Sequence, residues 1–412
     1  MQNTSILKTL FRSLRHRNFR LFWSGQLVSL IGTWMQNVGQ AWLVLELTHS
    51  SLKLGVVSAL QFAPMLFLSL FTGPFIDYFD KRKIIIWTQA ALMSQAFVLS
   101  ILVWTGTVQY WHIVILALLL GIVNTIDMPA RQAFIIDMVG KKDLMNAVAL
   151  NSSIFNAARA IGPALAGMLI ATMGTAVCFF INGMSFLAVL AGLLFMRVDR
   201  TSVKVKPAFN IVQDMMEAIR YIRATPAVLI TMLLVSVVSM FGTNFSVLVP
   251  VFAKMELHRD AAAFGLLMSS FGAGALIGAF SLALLSRNGP NFGLLLGGGM
   301  CLSIFLILLG FQRSFGLTAF LLACSGWSMV TFFGMANTTV QLNTDDHLRG
   351  RVMSIYTLAF GGITPFGSLF AGSFAHWIKA PLTFALGGLI CGIFFLIAIM
   401  KRKTFPVRNY TE

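Results

Sequence analysis

The sequence has 412 residues, of which 57% are hydrophobic and only 11% are charged, and its mean hydropathy is +0.82. Soluble domains carry about twice that charged fraction. The formal net charge of +16 would favour nucleic acid as a partner, but the Lys and Arg residues form short clusters between long apolar runs. The composition therefore excludes a soluble globular protein, and the charge distribution argues against nucleic-acid binding.

Apolar runs long enough to cross a bilayer recur along the whole chain. A helix of about 20 apolar residues spans the hydrocarbon core. On this criterion we predict twelve transmembrane helices, at 19–47, 51–78, 84–105, 111–135, 145–172, 176–196, 226–252, 262–286, 292–311, 316–343, 351–377 and 381–400. The predicted fold class is an all-α integral membrane protein with two six-helix bundles. An even number of spans places both termini on one side of the membrane.

The distribution of basic residues indicates which side that is. With these spans, 24 of the 30 Lys and Arg residues lie on the side of the termini, five lie on the other side, and Arg159 lies inside a span. Cytoplasmic loops of membrane proteins are enriched in Lys and Arg. We therefore predict a multi-pass protein of the cytoplasmic (inner) membrane with both termini in the cytoplasm.

The longest polar interval separates the two sets of six spans. Its apolar residues, among them Met215, Ile219 and Ile222, recur at helical spacing between charged residues, which predicts an amphipathic helix at the cytoplasmic membrane surface. The predicted domains are an N-terminal bundle (1–196), a linker (197–225) and a C-terminal bundle (226–412). Parallel halves are typical of transporters whose substrate site lies near the bilayer midplane between them.

Sequence motifs of catalysis are missing. The sequence has no HExxH pair, no Gly-Lys phosphate loop and no Cys/His cluster, and its four cysteines lie inside apolar runs without metal-ligand spacing. We therefore predict no enzyme activity, no cofactor and no metal. A receptor or a channel is disfavoured by the arrangement of twelve spans in two halves.

The loop after the second span resembles a motif of the major facilitator superfamily. That motif has Gly, three residues, Asp, a basic residue, any residue, Gly and two basic residues, and four positions match it: Gly73, Asp77, Lys81 and Arg82. Tyr78 and Asp80 depart from it, and Asp80 is tolerable there because Asp is one of the few non-Gly residues that can adopt a left-handed turn. The resemblance implies a conformational latch between the two halves at Gly73, Asp77, Lys81, Arg82 and Arg131. A tight cytoplasmic turn with topogenic charges is the alternative.

The fifth span resembles the Gly-Pro motif of drug/proton antiporters in the same superfamily. Gly162, Pro163 and Gly167 match it, whereas Ala158 and Ala166 stand where Gly is usual. Small residues allow close helix approach and proline kinks a helix, so these three residues are predicted to form a hinge in a helix that repacks between states. The motif favours an exporter over an importer.

The stretches Asn124–Phe134 and Arg17–Phe22 are similar to the enterobactin-exporter branch of the superfamily, which includes macrolide-efflux-type permeases. The resemblance implies the major facilitator fold, with pseudo-two-fold symmetry, and a monomer among membrane lipids. It also implies efflux of an amphipathic small molecule, such as a siderophore or a drug, by alternating access with protons as the coupling ion. Import, or transport of a lipid such as a lysophospholipid, are the alternatives.

Polar residues deep in the spans are candidate binding or coupling residues, because an ionisable group there costs about 2.5–3.5 kcal/mol on insertion scales. Arg159 lies at a depth similar to that of Gln36, Asn37 and Gln40. We hypothesise that it contacts an anionic or electron-rich part of the substrate, and a structural ion pair is the alternative.

Two carboxylates have two interpretations each. Asp127 is predicted either to pair with Arg131 one turn later or to carry a proton, and Glu46 is either solvated or a site of proton entry. The C-terminal half offers only weakly polar candidates among its aromatic residues, namely Asn244, Asn337, Gln341 and Tyr356. An aromatic wall of this kind suits an amphipathic or ring-bearing substrate.

Overall fold

The computed structural model describes residues 11–196, 211–285 and 292–401, and over these ranges it is all-helical, without β-strands. The first half contains α1 (Arg17–Thr48), α2 (Ser51–Tyr78), α3 (Lys81–Trp104), α4 (Tyr110–Met173) and α5 (Thr175–Phe195). After α6 (Ile211–Ala224), the second half contains α7 (Pro226–Val237), α8 (Phe245–Val251), α9 (Ala261–Leu285), α10 (Phe292–Leu309), α11 (Phe315–Leu342), α12 (Arg349–Thr357) and α13 (Thr364–Met400). Three π-helical segments join them: Val238–Gly242, Phe252–Glu256 and Leu358–Gly362.

Within the described ranges, nine helical segments are long and apolar enough to cross a membrane, so the protein is a multi-pass membrane protein. Two of the nine each cover two predicted spans. α4 runs for 64 residues with a break at Gly140, where φ is 69° and glycine is favoured, and α13 breaks at Lys379. α1 coincides with the first predicted span and falls outside the nine. The count of twelve stays a prediction.

The turn between α2 and α3 is not left-handed at Asp80. Asp80 has φ −64° and ψ 111°, and its carboxylate accepts hydrogen bonds from the backbone N–H groups of Arg82 (2.9 Å) and Lys83 (3.3 Å). It is the N-cap of α3, a position that favours Asp because the first N–H groups of a helix have no intrahelical partner. Asp80 therefore serves as a helix cap and not as a residue of a left-handed turn.

The predicted linker is described only from residue 211, and 197–210 lie outside the described residues. α6 is the amphipathic helix expected in this interval, with Ala218 and Ile222 buried. The Tyr221 hydroxyl donates to the Asn343 carbonyl oxygen (3.0 Å), and Glu217 pairs with Arg351. α6 therefore docks on the second half.

Within each half, the helices pack against one another. In the first, α1 packs against α4 and α5, α2 against α4, and α3 against α5; in the second, α9 packs against α11, and α10 against α11 and α13. We call the face where α1 begins and α13 ends the terminal face, and the opposite face the far face. The halves meet mainly along two helix pairs, α4 with α9 and α2 with α13, which we call the α4–α9 seam and the α2–α13 seam.

Glycines bring the backbones together along both seams. A Cβ atom on Gly265 would lie 2.4 Å from the Pro163 carbonyl oxygen, and one on Gly272 would lie 2.3 Å from that of Arg159. In the α2–α13 seam a Cβ atom on Gly55 would lie 2.7 Å from the Ser368 carbonyl oxygen. Small residues let transmembrane helices approach this closely.

Candidate functional site

The two seams extend inward from the far face to the same depth. The close glycine contacts of the α4–α9 seam end at Arg159, about 21 Å of helix axis from Met173 at about 1.5 Å per residue. In the α2–α13 seam, Leu66 approaches Gly362, in the π-helical segment before α13, about 22 Å from Ser51. The close glycine contacts between the halves therefore lie between the far face and mid-span.

Arg159 lies at this inner end of the α4–α9 seam and is 8% exposed. Its Nη2 donates to Asn156 Oδ1 (2.7 Å), and its guanidinium carbon lies 6.0 Å and 5.9 Å from the ring centroids of Phe155 and Phe271. No carboxylate of the described chain pairs with Arg159, and its Nε has no hydrogen-bond partner there. The structural ion pair considered from the sequence is therefore absent from the described part of the protein.

The amides of α1 are tied into the first half. Gln36 is buried, donates to Gln95 Oε1 (2.8 Å) and accepts from Asn182 Nδ2 (2.6 Å). Gln40 donates to Gln61 Oε1 (3.2 Å). The sequence analysis missed these three partners because they lie on α2, α3 and α5, far from α1 in sequence. Asn37, one residue after Gln36, is half-buried.

The predicted Asp127–Arg131 pair is present in α4. Asp127 Oδ2 lies 2.6 Å from Arg131 Nε, and its Oδ1 accepts from Thr88 Oγ1 (2.5 Å) and Gln89 Nε2 (3.0 Å). The carboxylate is buried and surrounded by donors from two helices of the first half. These contacts hold α3 against α4.

The basic residues of the predicted latch contact their own half. Lys81 pairs with Asp137 (2.8 Å), and Arg82 donates to the carbonyl oxygens of Leu193 (2.9 Å) and Leu194 (3.2 Å). The side chain of Asp77 lies outside the described part of the structure, and Gly73 has open space around it. A latch between the two halves stays a prediction.

Of the predicted hinge residues, Gly167 lies in the α4–α9 seam and Gly162 packs against α1. A Cβ atom on Gly162 would lie 2.6 Å from Trp34 Cβ, and one on Gly167 would lie 2.7 Å from the Ala261 carbonyl oxygen. α4 remains helical through Pro163, and its break lies at Gly140 instead. Close packing accounts for both glycines, and a hinge motion stays a prediction.

Glu46 lies on the far face beside a contact between the halves. It is exposed and accepts a hydrogen bond from Trp42 Nε1 (2.7 Å). The Trp42 ring stacks on Phe264 at 5.9 Å, and Lys254 Nζ lies 5.0 Å from the Trp42 ring. Glu46 therefore orients a tryptophan that closes the far face.

In the second half, three of the four weakly polar candidates come together. Gln341 Nε2 donates to Asn337 Oδ1 (2.6 Å), and the Tyr356 hydroxyl donates to the Phe333 carbonyl oxygen (3.3 Å). Phe360, which the sequence analysis did not single out, stacks on Tyr356 at 6.5 Å. Asn244 lies apart and donates to the Met240 carbonyl oxygen (2.8 Å).

Residues 8–412 match the family described as transmembrane secretion effector, which is nearly the whole chain. The chain belongs to the transmembrane secretion effector family. This confirms the resemblance to the major facilitator superfamily and the prediction that the protein is a transporter and not an enzyme.

Characterised relatives of this secretion effector are similar over most of their length. The staphyloferrin A transporter of Staphylococcus aureus is 26% identical over 405 residues, covering 93% of this chain and 96% of the relative. The multidrug efflux pump Tap of Mycolicibacterium fortuitum is 23% identical (83% and 85% covered), and macrolide efflux protein A of Streptococcus pyogenes is 23% identical (90% and 93% covered).

Solved transporter structures share the fold. A bacterial homologue of the human lysosomal transporter Spinster, in an inward-facing and unoccupied conformation, has a TM-score of 0.73 at 14% identity and covers 95% of this chain and 98% of its own. The nucleoside transporter NupG has a TM-score of 0.73 at 10% identity, with 95% and 99% covered. The secretion effector therefore has the helical fold of major facilitator transporters.

Proposed function

We propose that this secretion effector exports an amphipathic small molecule by alternating access, and that the conformation described here is open to the cytoplasm. The observation that carries the proposal is the set of close glycine contacts between the halves, which lie between the far face and mid-span in both seams. A substrate entering from the terminal face would reach the inner ends of both seams, between the two halves.

In this proposal, the terminal face of the protein lies on the cytoplasmic side of the membrane. This orientation is supported by the 24 Lys and Arg residues that the predicted spans place on the side of the termini. The proposed protein is a monomer of the inner membrane, with twelve spans arranged as bundles 1–196 and 226–412 around the linker 197–225. Binding near the midplane between two halves is the usual arrangement in such transporters.

The substrate class is proposed from the relatives and from the residues at the seam ends. Two relatives are efflux proteins for drugs, and one is a transporter of a siderophore, by their names. The inner ends of the seams offer one charge, Arg159, and an aromatic group that includes Tyr356 and Phe360. We propose that an amphipathic molecule binds there and that protons drive its export.

Transport into inside-out vesicles tests the proposal. Vesicles with the wild-type protein would be supplied with a catecholate siderophore, a citrate-type siderophore, a macrolide and a cationic dye, with and without an imposed proton gradient. We expect gradient-dependent accumulation of at least one compound, abolished by nigericin and absent from vesicles without the protein. Accumulation only in right-side-out vesicles would indicate import, and movement of labelled lysophospholipid alone would indicate a lipid transporter; either result refutes the proposal.

A further inference from the structure

The charge of Arg159 lacks a counter-ion in the described part of the protein. The other buried charge of α4, Asp127, has Arg131 as its partner at 2.6 Å. Arg159 instead has two aromatic rings, one amide oxygen and a buried Nε without a partner. A buried charge without a partner is costly, and charged residues inside membrane spans are rare unless they have a functional role.

A role in holding helices together does not account for Arg159. Its described hydrogen bond goes to Asn156, which lies on the same helix three residues earlier, and so links α4 to nothing else. Its described contact with the other half is the ring of Phe271, because the Gly272 approach involves the Arg159 backbone. A cation–π contact is worth about 0.5–2 kcal/mol and supplies no counter-ion.

The position of Arg159 is one that a substrate can reach under the proposed function. It lies at the last close glycine contact of the α4–α9 seam, near mid-span. On its terminal-face side, Phe155 is 37% exposed and packs edge-on against Trp34 at 5.9 Å. The guanidinium thus lies beside an accessible aromatic surface.

We propose that Arg159 selects substrates that carry a carboxylate, and that the ring or apolar body of the substrate lies against Phe155. A guanidinium binds a carboxylate through a planar fork of N–H donors, and the Nε without a partner belongs to that fork. This inference rests on the proposed function, because it assumes that the inner end of the seam is the binding site. It adds that the transported molecule is an organic anion.

A matched pair of fluorescent probes tests this selection without any transport step. Pyrenebutyrate and pyrenebutanol share one aromatic body and differ in a carboxylate against a hydroxyl. Their binding would be measured by equilibrium fluorescence titration of the full-length protein in nanodiscs made from a zwitterionic lipid. The variants are Arg159→Gln, Arg159→Lys and the control Arg313→Gln, which changes an exposed arginine between α10 and α11.

We expect the wild type and Arg313→Gln to prefer pyrenebutyrate over pyrenebutanol. Arg159→Gln should lose about ten- to hundred-fold of affinity for pyrenebutyrate only, because a hydrogen bond to a charged group is worth about 1.5–3 kcal/mol. Arg159→Lys should retain part of the preference, since it keeps the charge and loses the fork. Melting temperatures of the nanodisc samples would identify a variant that fails to fold, in which case Arg159→Lys decides.

Three results overturn the inference. The first is that the wild type does not prefer pyrenebutyrate, or binds neither probe. The second is that Arg159→Gln binds pyrenebutyrate as tightly as the wild type does. The third is that the wild type binds lysophosphatidate, measured in the same way, more tightly than pyrenebutyrate. Failure of export is distinguishable from these. Arg159-dependent binding without vectorial transport would refute the export proposal alone, and export of neutral compounds without a carboxylate preference would refute this inference alone.

Discussion

The substitution Gly55→Ala should open the far face without unfolding either half. Gly55 lies in the α2–α13 seam, where a Cβ atom would be 2.7 Å from the Ser368 carbonyl oxygen and 2.8 Å from the Gly372 Cα atom. Both neighbours are backbone atoms, so the added methyl group is accommodated only if α2 and α13 move apart. Because these helices belong to different halves, the movement separates the halves.

The expected shift follows from the cost of overpacking. Extra methyl groups in a packed interface cost about 1–3 kcal/mol. Here the cost applies only to the conformation in which the seam is closed. A difference of that size between two conformations changes their ratio about 5- to 150-fold. Gly55→Ala should therefore raise the population open at the far face by that factor.

Cysteine labelling on the other seam measures this shift. Ala261 is buried in the α4–α9 seam at the far face, so a cysteine introduced there reacts with a membrane-impermeant maleimide only when the halves separate. The four native cysteines would first be replaced. The labelled cysteine is in the α4–α9 seam, whereas the substitution is in the α2–α13 seam. Faster labelling therefore reports motion of the whole halves and not a local distortion beside Gly55.

Gly25→Ala is the matched control. A Cβ atom on Gly25 would lie 2.8 Å from the Ala188 carbonyl oxygen, but α1 and α5 both belong to the first half. It should lower the melting temperature and leave labelling at position 261 unchanged. Equal labelling in the two variants, or an equal loss of melting temperature without faster labelling in Gly55→Ala, would show that the seams are not moving interfaces.

Two further predictions concern charges in and beside α4. Asp127→Asn should destabilise the protein by at most about 3–5 kcal/mol, because it leaves the Arg131 guanidinium, which is 12% exposed, without its partner. Removal of both charges should restore most of the melting temperature; normal stability with loss of gradient-driven transport would instead make Asp127 a proton carrier. Near the Gly140 break, the hydrogen bond from His16 (2.8 Å) holds the pKa of Asp143 below its usual 3.8. The stabilisation is therefore present above that pKa and is lost as pH falls through the lowered value, so the melting temperature of the wild type should fall more steeply in acid than that of Asp143→Asn.

Helix positions were predictable from the sequence because the membrane imposes them. Apolar length alone gave 51–78 for the helix that the structure describes as Ser51–Tyr78, and 292–311 for Phe292–Leu309. Hydropathy does not register backbone geometry. It therefore missed the π-helical segments beside α8 and the nearly continuous course of α4 through Gly140, where one residue with positive φ turns the chain without a loop.

The candidate residues were predictable as a set of polar side chains in apolar surroundings, but their roles were not. Gln36 and Asp127 have the same sequence signal as Arg159, since each is a polar residue inside a predicted span. The partners decide between them: Gln95 and Asn182 satisfy Gln36, and three donors from α3 and α4 contact the Asp127 carboxylate, whereas no carboxylate of the described chain pairs with Arg159. Partners distant in sequence leave no local pattern, so only the packed structure separates scaffold from site.

The equal depth of the seams places the proposed binding residue near the pivot of the proposed motion. If the halves rock as rigid bodies, atoms at the far face move most, and atoms at the inner ends of the seams move least. The seams include small residues such as Gly55, Gly265 and Gly372, which let the helices of the two halves approach closely. Arg159 would then keep its place while access changes from one face to the other, as alternating access around a fixed midplane site requires. A charge at the pivot can therefore hold an anion throughout the transition, which a charge placed at either face could not do.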